Sequence, residues 1–333
     1  MFFIEISEHR IQYPYENLVV LVFFVIGSGA AVAQPYPIKS IRLVVPNAPS
    51  GGSDAVARVV AEKISPALGQ QIIVENRDGA GGRLAAEFVA RANPDGYILL
   101  MGTGATLITA RALYAKLNFD PIKSFAPVAA VASTAYLLIV HPSVPARNVA
   151  QLIAIGKARP ASLTYASTGT GSPAHLAAEY LQALSGIRIV HVPYRGSAPG
   201  TLSVMQGESD LMFGNLIAVL PHIASGRLRV IGISSSKRSA IAPEIPTIAD
   251  SGLPGFDVEQ FYGVVAPVGT PALIIKRLYD AIAAHIPTPE GKRLLESQGT
   301  DVAIRSPEQL RQKIKTETEK WTAIVRHAGI QPE

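Results

Sequence analysis

The sequence predicts an α/β protein made of two units of similar size with a cleft between them. Short β-branched runs alternate with amphipathic helical stretches from residue 41 onward, and the alternation starts again near residue 135. Such alternation is typical of right-handed βαβ crossovers and a mostly parallel sheet. The chain has 333 residues, 48% of them hydrophobic and 17% charged, which is enough for a buried core and excludes a disordered chain.

In the first unit each strand is followed by a loop rich in Gly or Pro and then by a helix. The helices end at Gly69 and before Asn93-Pro94, both of which are stop signals. The predicted strands are 41–45, 71–75 and 96–102, and the predicted helices are 54–69 and 84–92.

The second unit repeats this order and predicts a second sheet. Its strands are 135–142, 163–167, 187–194, 210–214 and 228–235, and its helices are 149–157 and 173–185. After a Pro- and Gly-rich loop come a strand at 258–267 and two helical segments at 271–286 and 307–329. Ligands of such sheets bind beyond the carboxyl ends of the strands, so the loops found there are the candidate sites.

The N-terminus predicts export. An apolar run at residues 18–25 is followed by small residues and by Ala31-Val32-Ala33, which matches a secretory signal with cleavage after Ala33. We therefore assign residues 1–34 to a signal peptide or an anchor. The segment before the run is net negative, with three Glu and one Arg, where a signal peptide is usually positive. A start codon placed too far upstream and an uncleaved anchor remain alternatives.

Charge and cysteine content narrow the function. Removal of residues 1–34 takes away one Arg and three Glu, which changes the formal charge from +5 to +7. This surplus steers anions toward the protein. The basic residues are scattered and form no Arg-rich or RNP-like motif, so no nucleic acid is expected as a partner. Cysteine is absent, which excludes disulfides and thiolate chemistry.

Two strand-end loops favour an anion. Residues 46–54 (PNAPSGGSD) precede a helix that Ser53 or Asp54 can cap, while the paired glycines let backbone N–H groups approach a ligand. Residues 166–175 (ASTGTGSPAH) combine hydroxyls with glycines before Pro173, which suits a first helical turn. A tight turn without a ligand remains the alternative for the first loop. Residues 75–82 and 102–106 form further strand-end loops.

Catalytic and metal motifs are not found. The sequence contains no G-x-S-x-G, H-E-x-x-H or paired-carboxylate signature. His175 and Glu179 are spaced to share a helix face, but two ligands without a third make a poor metal site, which favours a capping or packing role for His175. The other histidines after the signal segment lie singly and are interpreted as surface or core groups.

The chain resembles the Bug family of extracytoplasmic solute receptors, the receptor component of tripartite tricarboxylate transporters. Stretches spread over the whole mature chain carry the resemblance, among them YPIKSIRLVVPNAPSGGSDAVAR, ENRDGAGGRLAAEFVARANPDGYILLMG, LTYASTGTGSPAHLAAEYL and IAPEIPTIADSGLPGF.

The resemblance implies a two-lobed periplasmic-binding-protein fold, type II-like, with two Rossmann-like lobes joined by two crossover strands. The crossings are expected near residues 133–137 and 257–262. Lobe 1 then comprises residues 35–135 plus 258–333, and lobe 2 comprises residues 136–257. The last quarter of the chain returns to lobe 1, which the order of elements alone does not show.

The resemblance also implies a function. We expect a periplasmic, monomeric receptor that captures a small carboxylate without a cofactor and delivers it to the transporter's membrane subunits. The implied ligand-binding residues are Asn47, Ala48, Ser50, Gly51, Gly52, Ser53, Asp54 and Thr103 in lobe 1, and Ser167, Thr170, Gly171, His175, Tyr194, Gly214 and Asn215 in lobe 2. No catalytic or metal-binding residue is expected.

Two positions depart from the family pattern. An aromatic residue usually stands at the position of Asn47, and an Asp at the position of Gly214. We expect both changes to enlarge the pocket and make it less negative, and Gly214 to relax the rejection of a second carboxylate. Two other functions stay open from the sequence, namely a sensor that docks on a membrane signalling protein and a secreted α/β enzyme.

Overall fold

The sheet of this protein is continuous and contains ten strands within residues 36–332, the part that the computed structural model describes. The signal segment predicted at residues 1–34 lies outside the described residues. The strands are β1 (Ile41–Val45), β2 (Ile72–Asn76), β3 (Ile98–Thr103), β4 (Phe125–Val140), β5 (Thr164–Ser167), β6 (Val190–Pro193), β7 (Leu211–Asn215), β8 (Arg229–Ile233), β9 (Glu259–Pro267) and β10 (Asp301–Arg305).

Helices follow most strands, as the alternating pattern predicts. They are α1 (Gly52–Leu68), α2 (Arg83–Ala90), α3 (Ala110–Leu113), α4 (Val149–Ala158), α5 (Pro173–Ser185), α6 (Ser197–Gln206), α7 (Leu216–Ala224), α8 (Ala272–His285), α9 (Pro289–Glu296) and α10 (Pro307–His327). Within residues 36–332, no helix combines the length and the apolar character that a membrane crossing requires.

The order of strands divides the sheet into two halves. The path runs β2-β1-β3-β9-β4-β7-β5-β6, and β8 and β10 both pair with β4. Pairings of β1 with β2 and β3 are parallel, as are those of β5 with β6 and β7. The long strands β4 and β9 run antiparallel to their neighbours. Each half is therefore a parallel α/β unit, and antiparallel strands occupy the middle.

The middle of β4 is where the two halves meet. Up to Ala135, β4 pairs with β9 and β10, and from Tyr136 on it pairs with β7 and β8. The second crossing lies at the start of β9, where Glu259 pairs with Ala135. Both positions lie within residues 133–137 and 257–262, where the crossings are expected, and the lobe boundaries drawn from them stay a prediction.

Ser234 connects both crossing segments. Its hydroxyl accepts a hydrogen bond from the Tyr136 N–H at 2.8 Å and donates one to the Val258 carbonyl at 2.6 Å. Its own N–H donates to the Tyr136 carbonyl, and its carbonyl accepts from the Val258 N–H. Because Ser234 is fully buried, water does not replace these bonds.

The differences from the sequence-based prediction concern the middle and the end of the chain. The second half forms the group of strands that was predicted, but it is not separate from the first, because β4 begins ten residues earlier than expected and pairs in both halves. The strand β10 and four helices, namely α3, α6, α7 and α9, were not predicted from the sequence. Residues 125–134 are mostly Ala, Val and small polar residues, buried on nearly every side, so they lack the alternation that marks a half-exposed strand.

We predict that Ser234→Ala lowers the free energy of unfolding by about 2–4 kcal/mol, because it leaves the Tyr136 N–H and the Val258 carbonyl buried without that partner. Ser236→Ala is the matched control, since this exposed serine lies two residues away, and a change under about 0.5 kcal/mol is expected. Urea unfolding of both variants measures the difference. Equal stabilities would contradict the role assigned to Ser234.

Candidate functional site

A cavity of about 280 Å³ lies beside the two crossing segments. Its wall combines the crossings (Tyr136 and residues 258–260) with residues 104–114, the loop at 168–173 and the end of the chain at Trp321, Ile330 and Gln331. Leu113 comes close to the loop, because its Cδ2 lies 3.3 Å from the place where a Cβ on Gly171 would be. Residues from both halves of the sheet thus enclose one space.

The structure brings only part of the predicted site to this cavity. Thr170 and Gly171 line it directly. Thr103 adjoins the lining residue Gly104, and its N–H and hydroxyl interact with Thr106. Tyr194 donates its N–H to the Ser167 carbonyl, next to the lining loop. Asn215 pairs with the lining residue Tyr136 and accepts the Ala218 N–H as the N-cap of α7. These flanking residues stay predictions as ligand contacts.

The loop at residues 46–54 is organised around a carboxylate of the protein itself, that of Asp54. The Asp54 carboxylate accepts hydrogen bonds from the Ser50 N–H at 3.0 Å, from Asn76 Nδ2 at 3.0 Å and from Arg58 Nε at 2.9 Å. Burial raises the pKa of Asp54, but the bonds from Arg58, Ser50 and Asn76 outweigh it and hold this pKa below its usual value. The carboxylate therefore stays ionised and shapes the loop.

The rest of this loop is also engaged within the protein. Gly51 is the N-cap of α1, so the prediction that Ser53 or Asp54 caps this helix is wrong. The Ser53 hydroxyl donates instead to Asn47 Oδ1 at 2.7 Å. Gly52 leaves room for the Tyr262 hydroxyl, which lies 2.7 Å from the position of a Cβ there. Ala48 and Ser50 are exposed. None of the residues 47–54 lines the described cavity, so their contact with a ligand remains a prediction.

The second loop uses its glycine amides internally. The Gly169 N–H donates to the Ser167 hydroxyl at 3.1 Å, and the Gly171 N–H donates to His175 Nδ1 at 3.0 Å. These amides are therefore not the anion donors that the sequence suggested. The candidate hydrogen-bond donors to an anion are instead the hydroxyls of Thr168, Thr170 and Ser172, since all three residues line the cavity.

Stacked rings support this loop from below. Tyr165 on β5 and His191 on β6 are register partners with ring centroids 4.9 Å apart, and His175 on α5 stacks on His191 at 4.0 Å. Ser167 Oγ contacts His191 Nε2 at 2.7 Å. The Tyr165 hydroxyl donates to Glu179 Oε1, which lies 3.7 Å from His175 Nε2. His191, interpreted from the sequence as a surface or core group, is thus packed against two rings and hydrogen-bonded.

Burial sets the protonation of this stack. It lowers the pKa of His175 to about 4, with the neighbouring His191 acting in the same direction, and burial alone lowers the pKa of His191. Burial and the Glu179 carboxylate raise the pKa of Tyr165 above its ordinary value. Both imidazoles are thus neutral at pH 7, and His175 Nδ1 is an acceptor because the Gly171 N–H donates to it.

The interpretation of Gly214 as a pocket-widening position is wrong. A Cβ on Gly214 would lie 2.6 Å from Val219 Cγ1 and 3.3 Å from Ile139 Cδ1, two residues of an apolar core cluster. The side chain that is missing there would point between β7 and α7, because successive strand residues face opposite sides of a sheet. An Asp at this position would enter packed apolar atoms and would not reach the cavity.

Sequence reasoning missed the residues of the crossing and of the C-terminus. Tyr136, Glu259 and Gln260 line the cavity from the crossings, and Trp321 lines it from α10. Burial raises the pKa of Tyr262 to about 12, and burial together with Tyr262 raises the pKa of Tyr136. The sequence feature that could have indicated these lining residues is the adjacent polar pair Glu259-Gln260 at the start of an otherwise apolar strand. Nothing local marked Trp321, because α10 is distant in sequence.

The lining of this cavity has the composition of a small-molecule pocket. Within residues 36–332 no group of three or more His, Asp or Glu side chains is placed to hold a metal ion. The cavity offers the hydroxyls of the loop at 168–173, an apolar wall and one carboxyl group, from Glu259. Further hydroxyls and side-chain amides line it at Thr109, Tyr114, Tyr136, Gln260 and Gln331. Such a mixture of an apolar lining and a few polar groups is typical of a small-molecule pocket.

Comparisons with known proteins agree on one group of receptors. The sequence model of the tripartite tricarboxylate transporter family receptor matches residues 56–330. The chain is 34% identical to protein BugT of Bordetella pertussis over 316 residues, which cover 94% of this chain and 97% of BugT.

Solved structures are similar over nearly their whole length. A structure described as R. palustris Rpa4515 with adipate is 34% identical, with a TM-score of 0.73, and the match covers 90% of this chain and 100% of that one. The periplasmic binding protein BugD is 31% identical, with a TM-score of 0.69 and the same coverage. MatC from Rhodopseudomonas palustris with bound malate is 32% identical, with a TM-score of 0.69, covering 87% and 100% of the two chains.

We predict that the stability of the protein depends on pH through His175. Its folded-state pKa of about 4 lies below the ordinary value of 6.5, so between these pH values the unfolded chain binds a proton that the folded chain does not. The free energy of unfolding therefore falls as the pH drops from about 6.5 to about 4, by up to about 3 kcal/mol from this group.

His175→Asn tests this, because an Asn oxygen can accept the Gly171 N–H without titrating. Urea midpoints between pH 7.5 and pH 4 are expected to fall less steeply for this variant than for the wild type. His327→Asn, at an exposed position, serves as the control and should retain the wild-type slope. An identical slope for His175→Asn and the wild type would exclude this role.

Proposed function

Since this chain belongs to the tripartite tricarboxylate transporter receptor family, we propose that it captures a small carboxylate in the cavity between its halves and delivers it to a membrane transporter. The family membership expected from the sequence is confirmed. The match of the family model to residues 56–330 is the observation that carries the proposal.

The fold is the two-lobed α/β fold of periplasmic solute-binding proteins, as expected from the sequence. We propose the expected lobe boundaries for this chain, with lobe 1 at residues 35–135 plus 258–333 and lobe 2 at residues 136–257. The change of strand partners between Ala135 and Tyr136 supports this division, as does the pairing of Glu259 with β4.

Similar proteins support a carboxylate as the ligand. Rpa4515 is described with adipate and MatC with malate, and both molecules are small carboxylates. The hydroxyls of Thr168, Thr170 and Ser172 along the cavity are suitable donors for such a group. Because the family that matches this chain is one of transporter receptors, the proposed activity is binding without turnover, in the periplasm, by a monomer.

The proposed mechanism is closure around the ligand. The Gly104–Leu113 segment belongs to lobe 1, and the loop at 168–173 belongs to lobe 2, so a ligand between them contacts both lobes only when they are close together. The closed state then binds the ligand more tightly than the open state, and binding shifts the population toward it. The membrane partner would recognise the closed state.

We predict that Gly104→Leu abolishes most of the binding. Gly104 lines the cavity with helical backbone angles, and a Cβ there is 3.5 Å from Gln260 Oε1, so a Leu is compatible with the fold but occupies the ligand's space. A thermal-shift screen of the exported protein against mono-, di- and tricarboxylates identifies the ligand, which at about 100 times its Kd adds about 2.7 kcal/mol of stability.

Calorimetry with that ligand is then expected to show at least tenfold weaker binding to Gly104→Leu. Ala284→Leu adds the same side chain at an exposed position of α8, outside the cavity, and should retain the wild-type affinity. If no acid of the panel binds the wild type, or if Gly104→Leu binds as tightly as the wild type, the proposed function of this cavity is wrong.

We predict further that the radius of gyration decreases when the identified ligand is added. Ligand contacts with both lobes favour the compact state, so small-angle scattering should detect the change at saturation. Gly104→Leu at the same ligand concentration is the control and should keep the profile of the free protein. An unchanged wild-type profile with saturated ligand would exclude the closure mechanism while leaving the binding itself intact.

A further inference from the structure

We propose that the preferred ligand is a monocarboxylate with an apolar body, and that Glu259 acts as a specificity residue against a second carboxylate. This inference rests on the proposed function and adds the class of ligand to it. Four features of the cavity carry it, namely its apolar wall, its hydroxyl-bearing loop, its one carboxyl group and its volume.

The apolar wall comes from three separate parts of the chain. Ile108 and Leu113 contribute from the segment after β3, Leu176 from α5, and Trp321 and Ile330 from α10 and the residues after it. Ile108 and Leu176 are each only 3% exposed and Trp321 is 6% exposed, so their surfaces are fixed by the core around them. Such a wall favours hydrocarbon, whereas a carboxylate placed against it loses its hydration without gaining a partner.

The loop at residues 168–172 provides the polar end. The Ser172 hydroxyl accepts the His175 N–H as the N-cap of α5, so its own proton remains available to a ligand oxygen. Thr168 and Thr170 add two further hydroxyls. A carboxylate in front of these groups also lies near the N-terminus of a 13-residue helix, where negative charge is favoured. One carboxylate is therefore accommodated at this end.

At the crossing, Glu259 disfavours a second carboxylate on the ligand. Its Oε1 contacts the Ser133 hydroxyl at 3.3 Å, and burial together with Asp257 raises its pKa, while Lys313 and Arg305 act in the opposite direction. Among the described residues that line the cavity, none is a Lys, an Arg or a His that could neutralise a second ligand charge. A dicarboxylate would thus bring its second charge beside the Glu259 carboxyl group with no cation to pair with, and an unpaired charge is costly to bury.

The volume sets the size of the ligand. About 280 Å³ corresponds to roughly nine water molecules, or a ligand of about ten non-hydrogen atoms. Medium-chain fatty acids and substituted benzoates fall in this range. Pairs of such acids that differ only in a methyl group against a carboxylate isolate the effect of the second charge.

The experiment measures the affinities of two such pairs by calorimetry at pH 7.5. The pairs are hexanoate with adipate, and 4-methylbenzoate with terephthalate. In at least one pair the monoacid is expected to bind the wild-type protein tenfold or more tightly than its diacid. The class of ligand is overturned if the diacid binds equally well or better in both pairs, or if none of the four acids binds.

Two variants test the assignment to Glu259. Glu259→Gln keeps the size of the side chain and removes its charge, so the preference for the monoacid should shrink at least threefold, mainly because the diacid binds more tightly. Glu244→Gln, at an exposed position with the same chemical change, should keep the wild-type ratio. A wild-type ratio in Glu259→Gln overturns the specificity role. Should Glu259→Gln not fold, Glu259→Ala decides, because it also removes the carboxyl group and should shrink the preference for the monoacid in the same direction.

The outcome separates this inference from the proposed function. Suppose that none of the four acids binds the wild type, but that another acid of the wider panel does and binds Gly104→Leu more weakly. The proposed class of ligand is then wrong, and the proposed receptor function stands. If no acid of the wider panel binds, both are wrong.

Discussion

The hydrogen bonds of Ser234 are the constraint on which the rest of the structure depends. One buried hydroxyl joins the Tyr136 N–H to the Val258 carbonyl, and the serine backbone bonds to the same two residues. Residues 122 positions apart in the chain are thereby held side by side at the place where β4 changes partners. A buried polar group is costly unless it is paired, so this arrangement specifies a particular register of the two crossings. Each half of the sheet is then built outward from that register.

The crossing also determines where a ligand can be held. Tyr136 and Val258, the residues that Ser234 connects, line the cavity together with Glu259, so the same backbone that joins the two halves forms one wall of the site. The other walls, at residues 104–114 and 168–173, belong to opposite halves and approach each other across this wall. A small rotation at the crossing changes the distance between them more than it changes the crossing itself. In the proposed mechanism, closure therefore brings these two walls together, while the wall formed by the crossing stays in place.

Much of the fold could be predicted from the sequence, because each βα unit carries its own pattern of a buried strand, a glycine loop and an amphipathic helix. What could not be predicted depended on contacts between distant segments. The first ten residues of β4 lack alternation since they are buried on nearly every side, and Trp321 reaches the cavity only because α10 packs back on the sheet. Local reasoning identified the loops at 46–54 and 166–175 but not the fate of their amides. Within those loops, Asp54 accepts the Ser50 N–H and His175 accepts the Gly171 N–H. These N–H groups are therefore not available to an anion.

The internal hydrogen bonds of the Gly169 and Gly171 N–H groups limit which groups are left to bind a carboxylate ligand. With the Gly169 and Gly171 N–H groups engaged, a carboxylate meets the hydroxyls of Thr168, Thr170 and Ser172. Three hydrogen bonds to a charged group contribute roughly 5–9 kcal/mol in total, whereas association costs about 4–15 kcal/mol in lost freedom. Micromolar affinity requires about 8 kcal/mol net, so the hydroxyls alone do not supply it. In the proposed closed state, apolar contact with Leu113 on one half and Leu176 on the other supplies the remainder. On that proposal, opening the cleft removes this contribution, and release of the ligand is coupled to the opening.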